Sequence, residues 1–286
     1  MSRDATPALP AFLGFDLELS APCNARCNFC PQNWHGVRRR TPYLSDALVT
    51  KAAREIEEVF SAQRRQHERA QSMVGFCGMG EPLLRKDAIF RFLDAFGGQA
   101  ELILVTNGFY LTDDVIRDER FGRLDRVVVS TAGWKEGYEA VYGIDFDRVQ
   151  RNVLRAHERH GAKIGVSNLK APEISDEDHR AAQAFWAEHG IRAGIPSLHS
   201  RGGHYSHPAA YPGATRDFKT CGIFERMNFV SSDGEVLSCC HDVVSDHVVG
   251  DLASEHLLDI IERKRSVQRG SDGFEICRKC TDFSLG

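Results

Sequence analysis

The chain has 286 residues, of which 42% are hydrophobic and 27% charged, enough apolar sequence for one large domain or a domain with an appendage. Its net charge of −4 argues against a general nucleic-acid-binding surface, and no stretch approaches the roughly 18–20 apolar residues of a membrane span. The first residues lack the apolar core of a signal peptide, which predicts a cytoplasmic location. Nine cysteines in such a chain favour metal ligands or catalytic groups over disulfides.

The first third of the chain alternates between strand and helix patterns. Residues 12–20 alternate apolar and polar positions up to a cysteine-rich loop, which predicts a strand. Ser45 is placed to cap a helix with one apolar face, and residues 72–78 predict the second strand. A helix near 86–96 follows, because its large apolar residues recur with helical period.

Four further strands alternate with helices up to residue 198. Helices are predicted over 145–161 and after the capping box of Ser175 and Asp178. Six strand–helix units predict an α/β fold with a parallel sheet, and six units are fewer than the eight of a closed barrel. The fold class is therefore a partial (β/α)6 barrel, whose later strands are predicted over 101–106, 126–130, 163–168 and 191–198.

The pattern changes after residue 198. A stretch rich in Gly, Pro and His predicts a linker or lid, and residues 227–240 predict a β-hairpin turning at Asp233 and Gly234. One helix is predicted over about 254–267. The predicted domains are a barrel over 1–198, a linker or lid over 199–218, and a small C-terminal domain over 219–286.

Three cysteines follow the first predicted strand with the spacing C-x3-C-x2-C: Cys23, Cys27 and Cys30. Soft thiolates select zinc, copper(I) or iron–sulfur clusters, and three thiolates are one fewer than a closed tetrahedral site needs. Three cysteines can hold three irons of a [4Fe-4S] cube and leave the fourth iron open to another ligand. The loop also lies at the strand end where α/β barrels place their chemistry.

This motif, with Phe29 directly before its last cysteine, resembles the radical S-adenosylmethionine (SAM) superfamily. "GMGEP" at 78–82 is similar to the family's GGEP motif, with Met79 in place of the first glycine, and the family uses this motif to hold the SAM amino group. Other strand ends match positions where relatives contact SAM. The resemblance implies these cofactor-binding residues: Phe29, Gly78, Gly80, Glu81, Asn107, Ser130, Ser167, Asn168 and Ser197.

The resemblance also implies the chemistry. In this family the open iron chelates SAM through its amino and carboxylate groups, and an electron from the reduced cluster cleaves the sulfonium bond. The resulting 5′-deoxyadenosyl radical takes a hydrogen atom from the substrate, and the protein supplies positioning and exclusion of water. A flavodoxin or ferredoxin-type protein is the expected electron donor.

A second group of four cysteines lies near the C-terminus: Cys221, Cys239, Cys277 and Cys280. This layout resembles the twitch domain, a short form of the SPASM extension, as in 2-deoxy-scyllo-inosamine dehydrogenase. Four thiolates are enough to close one auxiliary [4Fe-4S] cluster, which could accept an electron or shape the pocket. A structural zinc site is the alternative.

Several other residues have two interpretations each. Cys240 is a candidate hydrogen-atom donor, as in some radical SAM epimerases including the neomycin epimerase, or a small buried apolar residue. Cys77 is predicted to have a packing role. His241 and Asp242 either contact substrate or form a local turn. Arg201 contacts substrate or belongs to a flexible linker.

The basic run at 38–40 meets an anionic substrate or lies on a solvated loop. The predicted function is hydrogen-atom abstraction from a small polar substrate, a sugar or aminoglycoside-like compound, with no nucleic-acid or membrane partner. Epimerisation through Cys240 is slightly favoured over dehydrogenation to a ketone. The alternatives are radical dehydration or decarboxylation, modification of a ribosomal peptide, and a non-catalytic zinc-binding module.

Overall fold

The computed structural model describes residues 7–34, 39–196, 200–203 and 218–282. Within these ranges, no helix is long and apolar enough to cross a membrane.

A nine-stranded sheet organises the described residues in the order β6-β5-β4-β3-β2-β1-β7-β8-β9. Neighbours from β6 to β7 pair in parallel, whereas β8 and β9 continue antiparallel. The predicted α/β fold with a parallel sheet is confirmed. The strands are β1 Phe12–Leu17, β2 Gln71–Phe76, β3 Glu101–Thr106, β4 Arg126–Thr131, β5 Ile164–Asn168, β6 Arg192–Gly194, β7 Met227–Val230, β8 Glu235–Leu237 and β9 Val248–Asp251.

The helices follow the strands along the chain. Ser45 and Ser175 cap their helices as predicted, since each side chain accepts a hydrogen bond from a backbone N–H three residues later. The α-helices are α1 Pro31–Trp34, α2 Asp46–Gln66, α3 Lys86–Ala95, α4 Asp113–Ile116, α5 Lys135–Tyr142, α6 Phe146–His160, α7 Asp176–Glu188, α8 Gly222–Arg226, α9 Leu257–Gly270 and α10 Glu275–Arg278.

Alternating side chains of β1 point into two different environments. Phe15 is fully buried and its ring packs edge-on against Phe60 of α2 at 5.6 Å, in the core between sheet and helices. Asp16 and Glu18 line the cavity on the other face of the sheet. The polar positions of this strand therefore face the inside of the partial barrel.

The sixth strand is shorter than predicted, because only Arg192–Gly194 pair with β5. Pro196 has no backbone N–H to donate to a ladder, so pairing stops before it. The last two residues of the predicted strand, 197 and 198, lie outside the described residues.

The predicted C-terminal hairpin is present and extends the barrel sheet. Strand β7 pairs with the edge of β1 and then turns into β8 through residues 231–234. Gly234 adopts φ 85°, which suits the turn. Cys239, two residues after β8, is thereby held at the end of a strand in the same sheet whose first strand leads to the N-terminal cysteines.

Candidate cofactor site

The three N-terminal cysteines share the wall of one cavity. Cys23, Cys27 and Cys30 line a cavity of about 490 Å³ that opens at the carboxyl ends of β1 to β4. This volume is within the range of small-molecule sites. The cavity is the place where the sequence predicts a cofactor and substrate to meet.

The end of helix α5 anchors the cysteine loop. Arg26 N donates to Tyr142 O at 2.9 Å, and Asn28 N donates to Val141 O at 3.1 Å. Phe29, the aromatic residue of the motif, packs its ring edge-on against Tyr142 at 5.8 Å and lines the cavity. This helix, which sequence reasoning missed, fixes the direction in which the loop presents its thiols.

Burial and mutual repulsion both oppose ionisation of these thiols. Burial raises the pKa of Cys23 to about 11 and raises the pKa of Cys27 and Cys30 as well. Negative charge on Cys30 and Cys23 raises the pKa of Cys27 further, in keeping with the one cavity that all three thiols line. A group of iron ions bound by thiolates would offset these costs, so the donor set fits an iron–sulfur cluster.

The glycines of the GMGEP segment allow two backbones to approach. A Cβ on Gly80 would lie 2.1 Å from Ser20 O, and one on Gly78 would lie 2.5 Å from Glu18 Cγ. The backbone N–H of Glu81 donates to Pro22 O at 2.9 Å, directly before the first cysteine. The segment is therefore packed against the cysteine loop, and it lines the same cavity.

Glu81 joins the ends of β2 and β3. Its carboxylate accepts from Thr106 Oγ1 at 2.6 Å, Asn107 N at 2.8 Å and Leu83 N at 3.0 Å. The side chain is buried, and burial raises its pKa while these hydrogen bonds lower it. Glu81 thus holds the cavity wall in shape and also lines the cavity.

The other predicted SAM-binding residues divide into two groups. Asn107 and Ser130 line the cavity, and Asn107 Nδ2 lies 3.7 Å from Cys23 Sγ. Ser167 and Asn168 are not among its lining residues, and the Asn168 Oδ1 accepts from Gly133 N at 3.0 Å. Ser197 lies outside the described residues.

The four C-terminal cysteines line a second, much smaller cavity: Cys221, Cys239, Cys277 and Cys280. Its remaining wall is mostly apolar, with Phe218, Ile223, Phe224 and Ile276 among the lining residues. The four thiols come from the residue before α8, the segment after β8, and α10 with the residue that follows it by two positions. This convergence of four thiols fits a cluster with every iron bound to the protein.

A buried lysine accompanies this second cavity. Lys264 on α9 is buried, donates from Nζ to Met227 O at 2.7 Å, and lies 4.9 Å from the ring centre of Phe224. Burial lowers its pKa to about 8, against the raising effect of negative charge on Cys239 and Cys221. Burial also raises the pKa of Cys239 to about 12. A buried ammonium group thus lies near thiols whose ionised form a positive charge stabilises.

Cys240, His241 and Asp242 do not all line the same cavity. Cys240 lines the main cavity, whereas the adjacent Cys239 lines the second one. His241 also lines the second cavity, and its Nε2 lies 2.9 Å from Asp282 Oδ2. Asp242 lines the main cavity, but it is buried and its carboxylate accepts hydrogen bonds from Ser238 Oγ and from two backbone N–H groups of its own loop. That geometry favours the local-turn interpretation of Asp242.

Arg201 lines the main cavity together with the cysteine loop. It adopts φ 49°, and its positive charge lowers the pKa of Cys27 and Cys30. Ser200 fixes the segment beside the C-terminal region, because Ser200 Oγ donates to Lys279 O at 2.7 Å. Arg201 therefore faces the cavity from the stretch that the sequence assigned to a linker or lid.

Arg39 lies in a buried ion pair. Its Nε lies 2.7 Å from Glu18 Oε1, and both side chains are less than a tenth exposed. Arg40 is exposed and pairs with Glu235 at 2.6 Å. The pairing with Glu18 gives Arg39 a role in the cavity wall that neither interpretation of the basic run anticipated.

Sequence reasoning missed two ionisable residues that the structure places at the site. Asp16 lines the main cavity and Lys264 lies beside the second cavity's walls. Cys77, predicted to pack, also lines the main cavity and shares a hydrogen bond with Asp16. The available signal for Lys264 was its place on the apolar face of α9, at helical spacing from Leu257, Ile260 and Ile261.

Two family models match the chain. The radical SAM superfamily model matches residues 17–183, more than half of the sequence. The chain belongs to the radical SAM superfamily. The model of the SPASM iron–sulfur cluster-binding domain matches residues 221–281, which contain all four C-terminal cysteines. The chain is thus a radical SAM enzyme with a cluster-and-SAM domain followed by an auxiliary iron–sulfur domain, as the two motif groups predicted.

The chain is similar over nearly its whole length to a curated radical SAM protein. It is 23% identical over 289 residues to the S-adenosyl-L-methionine-dependent 2-deoxy-scyllo-inosamine dehydrogenase of Niallia circulans, covering 96% of this chain and 94% of that protein. The solved structure of BtrN in complex with AdoMet and 2-DOIA has a TM-score of 0.62 at 18% identity, covering 97% of this chain and 96% of that one.

A peptide-bound structure shares the fold as well. Streptococcus suis SuiB bound to its precursor peptide SuiA has a TM-score of 0.67 at 14% identity, covering 96% of this chain and 72% of that one. At such identities the solved structures establish the common fold, and the two differ in what they bind.

Proposed function

We propose that this enzyme oxidises a secondary alcohol of a small polar substrate, an aminocyclitol or amino-sugar-like compound, to a ketone. The observation that carries the proposal is the second cavity, where four cysteines converge beside the main cavity. Ile223 lines both cavities, and the adjacent Cys239 and Cys240 face one each. A fully ligated cluster at that place is well positioned to receive an electron from the main cavity.

The residues have separate roles in this proposal. Cys23, Cys27 and Cys30 hold the cluster that binds SAM, and the segment containing Gly80 and Glu81 forms the wall against which SAM lies. Bound there, the cluster and SAM supply the 5′-deoxyadenosyl radical that removes one hydrogen atom from a substrate carbon. The C-terminal cysteines hold the auxiliary cluster: Cys221, Cys239, Cys277 and Cys280.

The whole-chain similarity to the inosamine dehydrogenase supports the substrate class. The cavity wall agrees with a polar substrate, because a carboxylate, an arginine and two thiols reach it: Asp16, Arg201, Cys77 and Cys240. A flavodoxin or ferredoxin-type protein is the proposed source of the electron that starts the reaction.

Epimerisation is the second candidate, and one observation favours it. Cys240 lines the main cavity, so its thiol can reach a substrate radical and return a hydrogen atom. The epimerase needs no electron acceptor, and the auxiliary cluster would then have another role. Elimination of water or CO2 and peptide modification have no comparable support from the cavity residues, and the family assignment sets aside a non-catalytic zinc module.

The mass of the product formed in D2O tests the proposal. The holoenzyme, reconstituted anaerobically, is given SAM, a reductant and a panel that starts with 2-deoxy-scyllo-inosamine and extends to aminoglycosides. A product lighter by two hydrogen atoms is the expected result. A product that gains one deuterium in place of hydrogen, with the label lost in Cys240→Ala, would establish the epimerase instead. A panel without any product would contradict the proposed substrate class.

A further inference from the structure

A carboxylate and a thiol meet on the inner wall of the partial barrel. Asp16 lies on β1 directly opposite Gly75 of β2, and Cys77 follows two residues later. A Cβ on Gly75 would lie 2.1 Å from Asp16 Oδ1, so only glycine leaves room for the carboxylate to lean across β2. The Cys77 sulfur lies beside it, because the same Cβ would be 3.6 Å from Cys77 Sγ, and its hydrogen bond to the carboxylate lowers the pKa of Asp16. Asp16, Gly75 and Cys77 therefore form one packed unit.

This unit faces the main cavity. Asp16 and Cys77 both line it, and Cys240 is close enough to Cys77 and Asp16 to affect them electrostatically. The nearby Glu18 is neutralised by its buried pair with Arg39. The carboxylate of Asp16 therefore lines the cavity, and its neighbour among the described residues is the neutral thiol of Cys77.

We propose that Asp16 is a further catalytic residue, whose carboxylate binds the substrate hydroxyl being oxidised and accepts its proton. This inference rests on the proposed dehydrogenation and names the group that completes it. Cys77 is a positioning residue, because its thiol holds the carboxylate in place without reacting.

The stoichiometry of the oxidation requires a proton acceptor. Conversion of a secondary alcohol to a ketone removes two hydrogen nuclei and two electrons from the substrate. The carbon loses a hydrogen atom, with one electron, to the 5′-deoxyadenosyl radical. The O–H bond then breaks, and its proton passes to Asp16 as the carbonyl bond forms. The auxiliary iron–sulfur cluster that the four C-terminal cysteines would hold would accept the remaining electron. Both hydrogen nuclei and both electrons thus have a named acceptor, and the acceptor of the proton is a residue of this chain.

The electrostatics of the cavity support this role. Burial raises the pKa of Asp16 to about 6, and the hydrogen bond from Cys77 limits the rise. At neutral pH the carboxylate is ionised and able to take a proton, and its conjugate acid is close enough to neutrality to release it afterwards.

Other ionisable groups near Asp16 do not replace it. Cys77 contacts it from β2, and Cys240 approaches from the segment after β8. On the other side, β7 pairs with β1 at Phe229 and presents apolar Met227 to the cavity. Glu18, the residue after β1, and Arg39 are committed to each other.

Three further charged residues line the same cavity: Glu81, Asp242 and Arg201. Each of the two carboxylates accepts three hydrogen bonds from protein donors, so both are engaged in holding the cavity wall. The guanidinium of Arg201 has no acceptor for a proton.

The experiment compares Asp16→Asn, Cys77→Ala and Cys77→Ser holoenzymes with the wild type, on the panel member that the wild type oxidises. Deuterium at the oxidised carbon allows hydrogen abstraction to be followed separately as labelled 5′-deoxyadenosine. We expect Asp16→Asn to lower ketone formation on the order of 100-fold or more, the usual contribution of a general base. Labelled 5′-deoxyadenosine should fall much less, so its ratio to ketone should rise.

The two cysteine variants provide a second, independent measurement. Wild-type ketone formation should rise with pH through about 6, where Asp16 ionises. Cys77→Ala should move this rise to higher pH, because the hydrogen bond that lowers the pKa is lost. Cys77→Ser keeps a donor and should leave the midpoint near that of the wild type. Asp147→Asn, an exposed residue in the first turn of α6, is the matched control and should change neither measurement.

The outcomes separate this inference from the function on which it rests. If the wild type oxidises no panel member, the proposed function fails and this inference fails with it. If the wild type forms ketone but Asp16→Asn keeps both its rate and its pH midpoint, Asp16 is not the proton acceptor although the dehydrogenation stands. A fall in ketone and labelled 5′-deoxyadenosine by the same factor would also overturn the inference, because it indicates a structural role.

Discussion

The two groups of cysteines differ in number and in surroundings. The three N-terminal thiols line a large cavity with polar and charged walls, whereas the four C-terminal thiols line a much smaller cavity with mostly apolar walls. Three ligands leave a coordination position free beside the space that a ligand can enter, and four ligands do not. Ligand count and cavity surroundings therefore suit the first cluster to binding and cleaving SAM and the second to electron transfer or structural support.

Loss of an N-terminal ligand should have the largest effect. Cys27→Ala is expected to lose the SAM-binding cluster and all cleavage of SAM, because two thiolates cannot hold three irons. Iron content should fall to that of one cluster, and 5′-deoxyadenosine should be undetectable by chromatography. Retained cleavage in this variant would contradict the assignment of the open site.

Loss of a C-terminal ligand should separate the two activities. Cys277→Ala is expected to lose the auxiliary cluster while the N-terminal cluster continues to cleave SAM. The variant should form 5′-deoxyadenosine without ketone, and iron and sulfide analysis should show one remaining cluster. Full ketone formation in a protein with one cluster would remove the proposed electron acceptor from the account.

These variants concern residues that the sequence located, because cysteine spacing is a local signal. Strands β3 and β4 were also located closely, since their apolar runs are continuous. Asp16 was missed because alternation predicts a strand without showing what its polar face meets, and closure of the partial barrel turns that face to the cavity. Its relation to Gly75 depends on strand register, which no single strand's sequence contains.

Helix α5 was missed for a local reason. Gly137 lies within its eight residues and lowers its intrinsic helix propensity, so the sequence signal is weak. Lys135 at its start adopts φ 36°, which is not a helical value. Tertiary contacts compensate, because Tyr138 is fully buried and stacks on Tyr142 at 4.8 Å. These tertiary contacts stabilise the helix, and the sequence of one segment does not show them.

Glu81 offers an intermediate effect on the open site. Glu81→Gln replaces one acceptor oxygen by an NH2 group, although Thr106, Asn107 and Leu83 all donate to this side chain. A buried donor left without an acceptor should cost about 1–3 kcal/mol of the free energy of unfolding. Thermal unfolding should show this loss, and SAM affinity measured by titration should fall. Glu188→Gln, at the exposed end of α7, is a suitable control. An unchanged melting temperature and SAM affinity would contradict the role of Glu81 in shaping the wall.

Lys264 should have the smallest effect, confined to the closed site. A positive charge stabilises the more negative, reduced form of a nearby cluster, so Lys264→Met should lower the midpoint potential of the auxiliary cluster by on the order of tens of millivolts. Lys264→Arg keeps the charge and serves as the matched variant. A redox titration followed by electron paramagnetic resonance measures the shift. An equal shift in both variants would mean that packing, rather than charge, sets the potential.

The most direct test of the difference between the two sites is the response of each cluster to SAM. Electron paramagnetic resonance spectra of the reduced Cys277→Ala protein report the N-terminal cluster, and spectra of a Cys23→Ala, Cys27→Ala, Cys30→Ala triple variant report the auxiliary cluster. We expect SAM to change the first spectrum and to leave the second unchanged. A SAM-dependent change in the triple variant, or no change in Cys277→Ala, would contradict the assignment of one open and one closed site.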